Sequence, residues 1–305
     1  MAEILRLGTR TSALAMWQAS HVARALEAAW PGLHVALVPF VTKGDRTLDK
    51  PLPEIGGKGL FTQELEEDLL AGRLDLAVHS LKDLPTADPD GLALGAITER
   101  ADPRDAWVCP AGHSLADLPE GAVVGTSSLR RASQLLRVRP DLTIRSIRGK
   151  VETRIEKTAT GGYDATVLAV AGLARLKRMD DATGILDLDT MLPAPGQAAL
   201  GVQVRADDDR VGRLVASVDH APTRQAVEAE RHFLTALGGG CSAPIAALGT
   251  VDGGRLHLRG RVCSVDGAQT VEVEDALPLG PTVAHDLGHA LAEAALADGA
   301  RVLLP

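Results

Sequence analysis

The chain has 305 residues and a formal net charge of −8, and 45% of its residues are apolar. A chain of this length and composition is expected to form a soluble globular protein of two or three domains. Its acidic balance and its seven aromatic residues argue against a nucleic-acid-binding surface, which needs positive charge and stacking side chains.

The three cysteines show no metal-ligand spacing, and so sparse a set is expected in a reduced cytoplasmic protein. The first residues contain no apolar signal segment, and no later stretch approaches a membrane-spanning length. We therefore expect a cytoplasmic protein without a metal site. Cys109 and Cys263 lie in apolar runs and are predicted core residues, whereas Cys241 lies beside glycines on a loop.

The first polar junction follows a strand predicted over residues 4–8. Thr11 or Ser12 then caps a helix whose apolar residues follow helical spacing as far as Leu26. Arg10 and Ser12 therefore lie at a helix N-terminus, where free N–H groups and the helix dipole favour an anion. Simple helix capping is the alternative interpretation.

A second strand is predicted over residues 35–41, and a polar loop over 42–59 and a helix over 60–70 come after it. The loop is long enough to be functional or disordered. The next strand, over 74–78, returns the chain to a predicted sheet. Strands that alternate with helices in this way favour an α/β architecture.

This strand ends abruptly in a polar cluster that includes His79, Ser80, Lys82 and Asp83. Ligands of open α/β sheets bind beyond the carboxyl ends of the strands, so the cluster is a candidate site, with a solvated turn as the alternative. A serine-hydrolase triad is not favoured, because adjacent strand residues point to opposite faces and the chain contains no Gly-x-Ser-x-Gly motif.

The strand-to-helix design recurs after Val123, where three hydroxyl residues precede a helix with two arginines in its first turn. The five residues are Thr126, Ser127, Ser128, Arg130 and Arg131. Cations at a helix N-terminus are unfavourable unless an anion lies between them and the helix end. We therefore expect an anion at this junction.

The surrounding basic region, residues 126–157, contains seven arginines and two lysines against three acidic residues, a local charge of +6. Arg148 and Arg154 lie within it on either side of Lys150. Because arginine binds carboxylates and phosphates through two parallel hydrogen bonds, the region indicates a ligand with several negative charges. A solvated basic face is the alternative.

The later chain suggests one more lobe and a smaller domain. Strands over 142–147 and 165–170 continue the alternating pattern, and the proline-rich segment 192–202 predicts a stiff connection that returns to the first sheet. Helices over 223–237 and 282–297 and strands over 255–263 and 271–274 predict an α+β domain. The predicted domains are 1–98 with 199–217, 99–198, and 218–305.

Six motifs in this order resemble the porphobilinogen deaminase (hydroxymethylbilane synthase) family. They are Gly-Gly-Lys-Gly-Leu-Phe at 56–61, the segments 78–85, 102–105, 124–131 and 169–173, and Gly-Gly-Cys at 239–241. The resemblance implies an α/β fold with two periplasmic-binding-protein-like lobes joined by hinge strands and a small α+β C-terminal domain. It also implies a dipyrromethane cofactor attached to Cys241. The implied reaction joins four porphobilinogen molecules head to tail with loss of ammonia, and hydrolysis then releases hydroxymethylbilane.

The resemblance also assigns site residues. It implies that Asp83 is catalytic. The implied cofactor-binding residues are Cys241, Lys82, Asp83, Ser128, Arg130, Arg131, Arg148 and Arg154. The implied substrate-binding residues are Arg10, Ser12, Thr126, Ser127, Arg148 and Arg154.

Five positions depart from the family pattern: Glu54, Lys150, Glu152, Pro195 and Ala198. Glu54 weakens any role for its loop in binding anions. The main alternative function is a solute-binding protein with the same lobes, since a fold alone does not fix function, but such a protein would need neither the thiol nor the third domain. A cysteine hydrolase lacks an identifiable histidine partner. A monomer is expected, with porphobilinogen as small-molecule partner.

Overall fold

The computed structural model of the chain describes residues 3–42, 44, 62–240 and 243–304. The strands are β1 (Glu3–Arg10), β2 (Leu33–Phe40), β3 (Leu76–Ser80), β4 (Leu92–Ile97), β5 (Asp105–Val108), β6 (Val123–Gly125), β7 (Thr143–Arg145), β8 (Ala165–Ala169), β9 (Gly184–Ile185), β10 (Leu200–Arg205), β11 (Ile245–Asp252), β12 (Arg255–Cys263) and β13 (Thr270–Pro278). The α-helices are α1 (Ala13–Ala29), α2 (Gln63–Leu70), α3 (Leu129–Val138), α4 (Val151–Ala159), α5 (Val170–Arg175), α6 (Asp209–Val215), α7 (Ala221–Ala236) and α8 (Val283–Ala297).

The first compact unit comprises Met1–Ala101 and Ala198–Arg224 and contains one mixed sheet. Its strand order is β2-β1-β3-β10-β4, in which β1 runs parallel to both neighbours and β10 runs antiparallel to both of its own. Helix α1 packs its apolar face on this sheet, with Val22 and Leu26 buried among Leu5, Leu7 and Val78. Burial of such side chains contributes about 1.5–3 kcal/mol each.

The second unit comprises Asp102–Gln197 and Gln225–Pro305 and contains two sheets. Its mixed sheet has the order β7-β6-β8-β5-β9, in which β6 runs parallel to β7 and β8, and β5 runs antiparallel to β8 and β9. Separate apolar clusters around Val167 and Leu168 indicate that helices or loops cover both faces. This sheet therefore repeats the design of the first one.

The third sheet is an antiparallel meander of β11, β12 and β13, and α7 and α8 pack on it. Phe233 of α7 and Leu291 of α8 lie in the same buried cluster as Leu258 of β12. Exposed and buried residues alternate over residues 255–258 of β12, as in a sheet with one covered face, and the last four residues of the strand are all buried. The predicted α+β character of this region results from that packing.

The predicted fold class is confirmed in its architecture: the protein has two mixed sheets with helices, one in each α/β lobe, and a smaller α+β region. The predicted return of the chain to the first sheet is also confirmed, because β10 lies between β3 and β4. Cys109 and Cys263 are buried, as expected. The three domain limits stay a prediction.

Some element limits differ from the sequence analysis. The strand predicted over 142–147 is shorter in the structure, where β7 covers Thr143–Arg145, because the residues after Arg145 turn toward the next helix. β5, β11 and the two-residue β9 are not predicted from the sequence. β5 begins with a charged residue, and β11 carries two alanines and a glycine, so neither resembles an apolar β-branched strand. Most of the predicted loop over 42–59 lies outside the described residues.

Ala198, at the entrance to β10, has a φ angle of 74° and is buried. This is the left-handed region, where a Cβ atom collides with the backbone at a cost of about 1–2 kcal/mol. Ala198 is also one of the five positions that depart from the family pattern. The chain therefore turns from segment 191–197 into β10 through a strained alanine.

We expect Ala198→Gly to raise the free energy of unfolding by about 1 kcal/mol, because glycine adopts positive φ without steric cost. The denaturant midpoint measures this change. The matched control is Ala199→Gly, since Ala199 is also buried but is not among the residues with positive φ. That control is expected to lose about 1 kcal/mol. If Ala198→Gly lost as much stability as the control, the conclusion that the backbone at Ala198 is strained would be wrong.

Candidate active site

Two polar junctions of the first unit lie at one edge of its sheet. β1 and β3 are parallel neighbours, with Gly8 opposite Ala77, so their carboxyl ends meet at the same edge. Arg10 ends β1, and Ser12 caps α1 by accepting a hydrogen bond from the Ala15 N–H at 3.2 Å. Ser12 acts as acceptor in this bond, so its own hydroxyl proton can be donated to a ligand.

The turn after β3 holds Lys82 and Asp83 in a 3-10 turn over Leu81–Asp83. The buried Leu81 anchors it by donating its N–H to the Ala199 carbonyl at 3.0 Å, and Ser80 accepts a hydrogen bond from the Gln18 side chain at 2.8 Å. Lys82 is half-buried and Asp83 is exposed. The fold therefore fixes the backbone of this turn and presents the Asp83 carboxylate at the surface.

His79 lies in β3, shortly before this turn, and is 7% exposed. Burial, together with the nearby charge of Arg10, lowers the pKa of His79 to about 4. The imidazole is therefore neutral at physiological pH. A group with this pKa is a poor proton shuttle near pH 7, which favours a supporting role for His79.

The corresponding junction of the second unit follows β6. Thr126 accepts a hydrogen bond from the Ser128 N–H at 3.2 Å, and Ser128 caps α3 by accepting from the Arg131 N–H at 3.4 Å. Ser127 lies 2.8 Å from the Ser146 hydroxyl and donates to the Ile147 carbonyl at 2.8 Å. The three hydroxyls thus shape the junction itself, as the capping interpretation expects, and Thr126 and Ser128 keep their protons for donation.

Arg130 and Arg131, in the first turn of α3, are both buried against Asp105 of β5. Arg130 Nη1 lies 2.8 Å from Asp105 Oδ2, and Arg131 Nη2 lies 2.7 Å from Asp105 Oδ1. Burial, and then the like charge of Arg131, lower the pKa of Arg130. The anion that the sequence analysis expected at this junction is thus in part a carboxylate of the protein.

Asp105 balances only one of the two charges. In addition, the Nε atoms of both Arg130 and Arg131 are buried and make no hydrogen bond within the described residues. Buried polar groups without partners are rare and call for a ligand or water. The pair therefore has spare charge and two spare donors, which fit a ligand that carries carboxylates.

Arg148 and Arg154 lie around the start of α4, after β7, which is the parallel neighbour of β6. The junction needs glycine at 149, where φ is 127° and an added Cβ would lie 2.9 Å from the Thr153 side chain. Arg154 Nε donates to the Gly149 carbonyl at 2.9 Å. Because β6 and β7 are parallel, the chain after β7 leaves the sheet at the same edge as the Ser127 junction, and both arginines are half-buried there.

The structure thus places the predicted residues in two groups. The first unit contributes Arg10, Ser12, Lys82 and Asp83, and the second contributes Thr126, Ser127, Ser128, Arg130, Arg131, Arg148 and Arg154. Cys241 and Glu54 lie outside the described residues. In the part of the chain that the structure describes, no cluster of histidine, cysteine and acidic residues could hold a metal ion.

Sequence reasoning missed Asp105. The only available signal was its position, a carboxylate that ends the Asp-Pro-Arg-Asp motif directly before the apolar Ala106, Trp107 and Val108. A charge at the start of a buried strand needs a partner. The sequence does not show that the partners are 25 and 26 residues further along the chain.

Comparison with known proteins supplies the family. The model described as "Porphobilinogen deaminase, dipyromethane cofactor binding domain" matches residues 5–213, and "Porphobilinogen deaminase, C-terminal domain" matches residues 224–297. The porphobilinogen deaminases of Geobacter metallireducens and Geobacter sulfurreducens are each 51% identical to the chain over 300 residues, which are 98% of this chain and 93% of theirs. That of Syntrophotalea carbinolica is 51% identical over 98% of this chain and 95% of its own.

We expect Asp105→Asn to lower the free energy of unfolding by about 3 kcal/mol, because two buried guanidinium groups would lose their counter-charge. Chemical denaturation measures the change. Asp102→Asn is the matched control, since Asp102 pairs with Arg104 at 2.6 Å near the surface and is expected to change stability by less than about 1 kcal/mol. Equal losses of unfolding free energy in the two variants would show that Asp105 stabilises the fold no more than a surface carboxylate does.

Proposed function

We propose a role for each candidate residue on one premise: the chain belongs to the porphobilinogen deaminase family. The enzyme joins four porphobilinogen molecules head to tail, releases one ammonia for each, and hydrolyses the product to free hydroxymethylbilane. It uses a dipyrromethane cofactor, which, when bound, supplies the pyrrole end that the first substrate extends. Cys241 is the residue proposed to hold it through a thioether.

Asp83 is the proposed catalytic residue, and its exposed position on an anchored turn is the observation that carries the assignment. Loss of ammonia from porphobilinogen leaves a cationic methylenepyrrolenine whose charge is shared with the pyrrole nitrogen. A carboxylate beside that nitrogen stabilises the charge. A carboxyl oxygen of Asp83 can also give a proton to the departing amine and later accept one from the attacked ring carbon.

The arginines and Lys82 are proposed to bind carboxylates. Each pyrrole unit carries an acetate and a propionate, so the cofactor and the growing chain are polyanions. Arg130 and Arg131 offer their spare Nε–H donors to the cofactor, with Ser128 and Lys82 as further donors. Half-buried arginines at 148 and 154 serve both the cofactor and the added units.

Arg10, Ser12, Thr126 and Ser127 are proposed to bind the substrate. The hydroxyl protons of Ser12 and Thr126 can be donated, because both oxygens accept their backbone hydrogen bonds. Ser127 donates to the Ile147 carbonyl, so it offers its oxygen to a substrate N–H group. The N-termini of α1 and α3 add backbone donors and a favourable dipole for a carboxylate.

We infer that the enzyme acts in the cytoplasm as a monomer and without a nucleic-acid partner. The net charge of −8 and the scarcity of aromatic residues support the last point. Three sparse cysteines support a reducing compartment. Among the residues that the structure describes, no helix is long and apolar enough to cross a membrane.

Asp83→Asn is expected to slow ammonia release from porphobilinogen by about 10²-fold or more, because the amide can neither take up a proton nor balance the positive charge. Steady-state turnover of the purified enzyme measures the loss. Asp88→Asn is the control, since Asp88 is exposed on the same connection and is expected to leave turnover unchanged. A folded Asp83→Asn enzyme with near-normal ammonia release would rule out the proposed role.

Cys241→Ser is expected to give a folded chain that carries no covalent cofactor. The intact mass of the wild-type protein should exceed the chain mass by two pyrrole units, mapped to Cys241, and the variant should show the bare chain. Cys263→Ala is the control and should retain the excess mass, because the Cys263 thiol is buried in β12. Pyrrole units still attached to the loop of the serine variant would contradict the assignment.

The native mass of the same samples, measured without denaturation, tests the inference that the enzyme is a monomer.

A further inference from the structure

A buried amide on α3 pairs with the backbone of Leu192. Gln134 is 1% exposed and lies one turn after Arg130. Its Oε1 accepts from the Leu192 N–H at 2.9 Å, and its Nε2 donates to the Leu192 carbonyl at 3.0 Å. Two such bonds in opposite directions fix both the position and the orientation of the Leu192 peptide groups.

The Leu192 carbonyl is in turn a ligand of Arg130. Arg130 Nη1 donates to it at 2.8 Å and to Asp105 Oδ2 at 2.8 Å, so two acceptors define where this end of the guanidinium lies. Asp105 is a side chain of β5, whereas the second acceptor is a loop carbonyl that Gln134 holds directly through the bonds described above. The direction of the spare Arg130 Nε–H therefore depends on Gln134.

A residue of the third sheet, Arg261, fixes the orientation of the Gln134 side-chain amide. Arg261 of β12, which is 1% exposed, donates from Nη1 to Gln134 Oε1 at 2.7 Å and from Nε to Glu272 Oε1 at 2.8 Å. A guanidinium only donates, so it requires the amide oxygen on its side. A flipped amide would place its NH₂ group against Arg261 and against the Leu192 N–H.

The hairpin between β12 and β13 packs closely against α3, near the hydrogen bond between Arg261 and Gln134. At Gly267, where φ is 73°, an added Cβ would lie 2.5 Å from both the Ser133 carbonyl oxygen and the Arg137 nitrogen. The backbone of the β12–β13 hairpin therefore lies directly against α3, whose first turn contains the two buried arginines. The hydrogen bond from Arg261 to Gln134 is part of that contact.

We propose that Gln134 and Arg261 are positioning residues, which orient Arg130 for binding the cofactor carboxylates. The proposal rests on the proposed role of Arg130. In this proposal Arg261 of β12, a strand of the third sheet, influences the orientation of Arg130 on α3, a helix of the second lobe. Neither residue touches the ligand in this role.

The decisive variant is Gln134→Glu. The carboxylate has the shape of the amide and still accepts from the Leu192 N–H and from Arg261, but it cannot donate to the Leu192 carbonyl and repels it. Arg130 then loses one of its two fixed acceptors. We expect the fraction of full-length chain that carries the cofactor, measured by intact mass per folded chain, to fall about tenfold, since small misplacements of a binding group cost this much or more.

Arg261→Met removes the orienting donor and is expected to lower the same fraction. Arg255→Met is the matched control, because Arg255 is exposed on the same strand, and its cofactor content should equal that of the wild type. Each variant's thermal unfolding curve gives its midpoint and its folded fraction at the assay temperature. A purely structural role would lower the midpoint and leave the cofactor content per folded chain unchanged, and that outcome overturns the proposal.

Arg130→Met separates this inference from the proposed function. Normal cofactor content in Arg130→Met refutes the role of Arg130 and, with it, any positioning through that residue. Low content in Arg130→Met together with normal content in Gln134→Glu refutes only the positioning inference. An equal loss in the Arg255→Met control would also overturn it, because the effect would then not be specific to the bonds of Gln134.

Discussion

One buried carboxylate allows the second unit to bury two adjacent arginines. Arg130 and Arg131 are adjacent in sequence and both buried, and without a counter-charge two such cations would each cost several kcal/mol. Asp105 binds one guanidinium with each oxygen, at 2.8 and 2.7 Å. This compensation is incomplete by one charge, and the incompleteness favours a polyanionic ligand. Asp105 thus fixes both guanidinium groups while it leaves part of their charge unbalanced.

The fold places these groups by using one design twice. In each lobe a parallel strand ends in a hydroxyl-rich junction that caps a helix, with Ser12 before α1 and Ser128 before α3. In the first sheet β1 pairs with the parallel β3, which pairs with the antiparallel β10. In the second sheet β6 pairs with the parallel β8, which pairs with the antiparallel β5. Because the carboxyl ends of parallel strands share an edge, each lobe gathers its charged residues there. The lobes differ after β3 and β8, since β3 leads into the turn that carries Asp83, whereas β8 leads directly into α5.

The sequence predicts the groups that are local and misses those that depend on long-range pairing. Asp83 could be found because apolar β3 breaks into charge within a few residues, and the basic region because its charge contrasts with that of the whole chain. Asp105 and Gln134 could not, because their partners lie far along the chain and each is an ordinary polar residue in its own segment. Arg261, 127 residues from Gln134, reads from the sequence as an exposed strand residue. The proposed attachment residue, Cys241, is indicated by a motif, and it lies outside the described residues.

The segment 191–197 connects these long-range interactions, and it does so mainly through its backbone. Leu192 binds Gln134 and Arg130, the Pro193 carbonyl accepts from the Ala247 N–H of β11 at 3.1 Å, and the Gly196 N–H donates to Glu230 of α7 at 2.6 Å. Gln197 adds a side-chain bond to Asp105 at 3.0 Å. A substitution keeps these backbone carbonyls and removes an N–H only where it introduces proline, so the segment tolerates a different side chain at 195 as long as its path is kept. Proline at 193 and 195 restricts the unfolded chain and favours that path, which offsets part of the strain that Ala198 introduces.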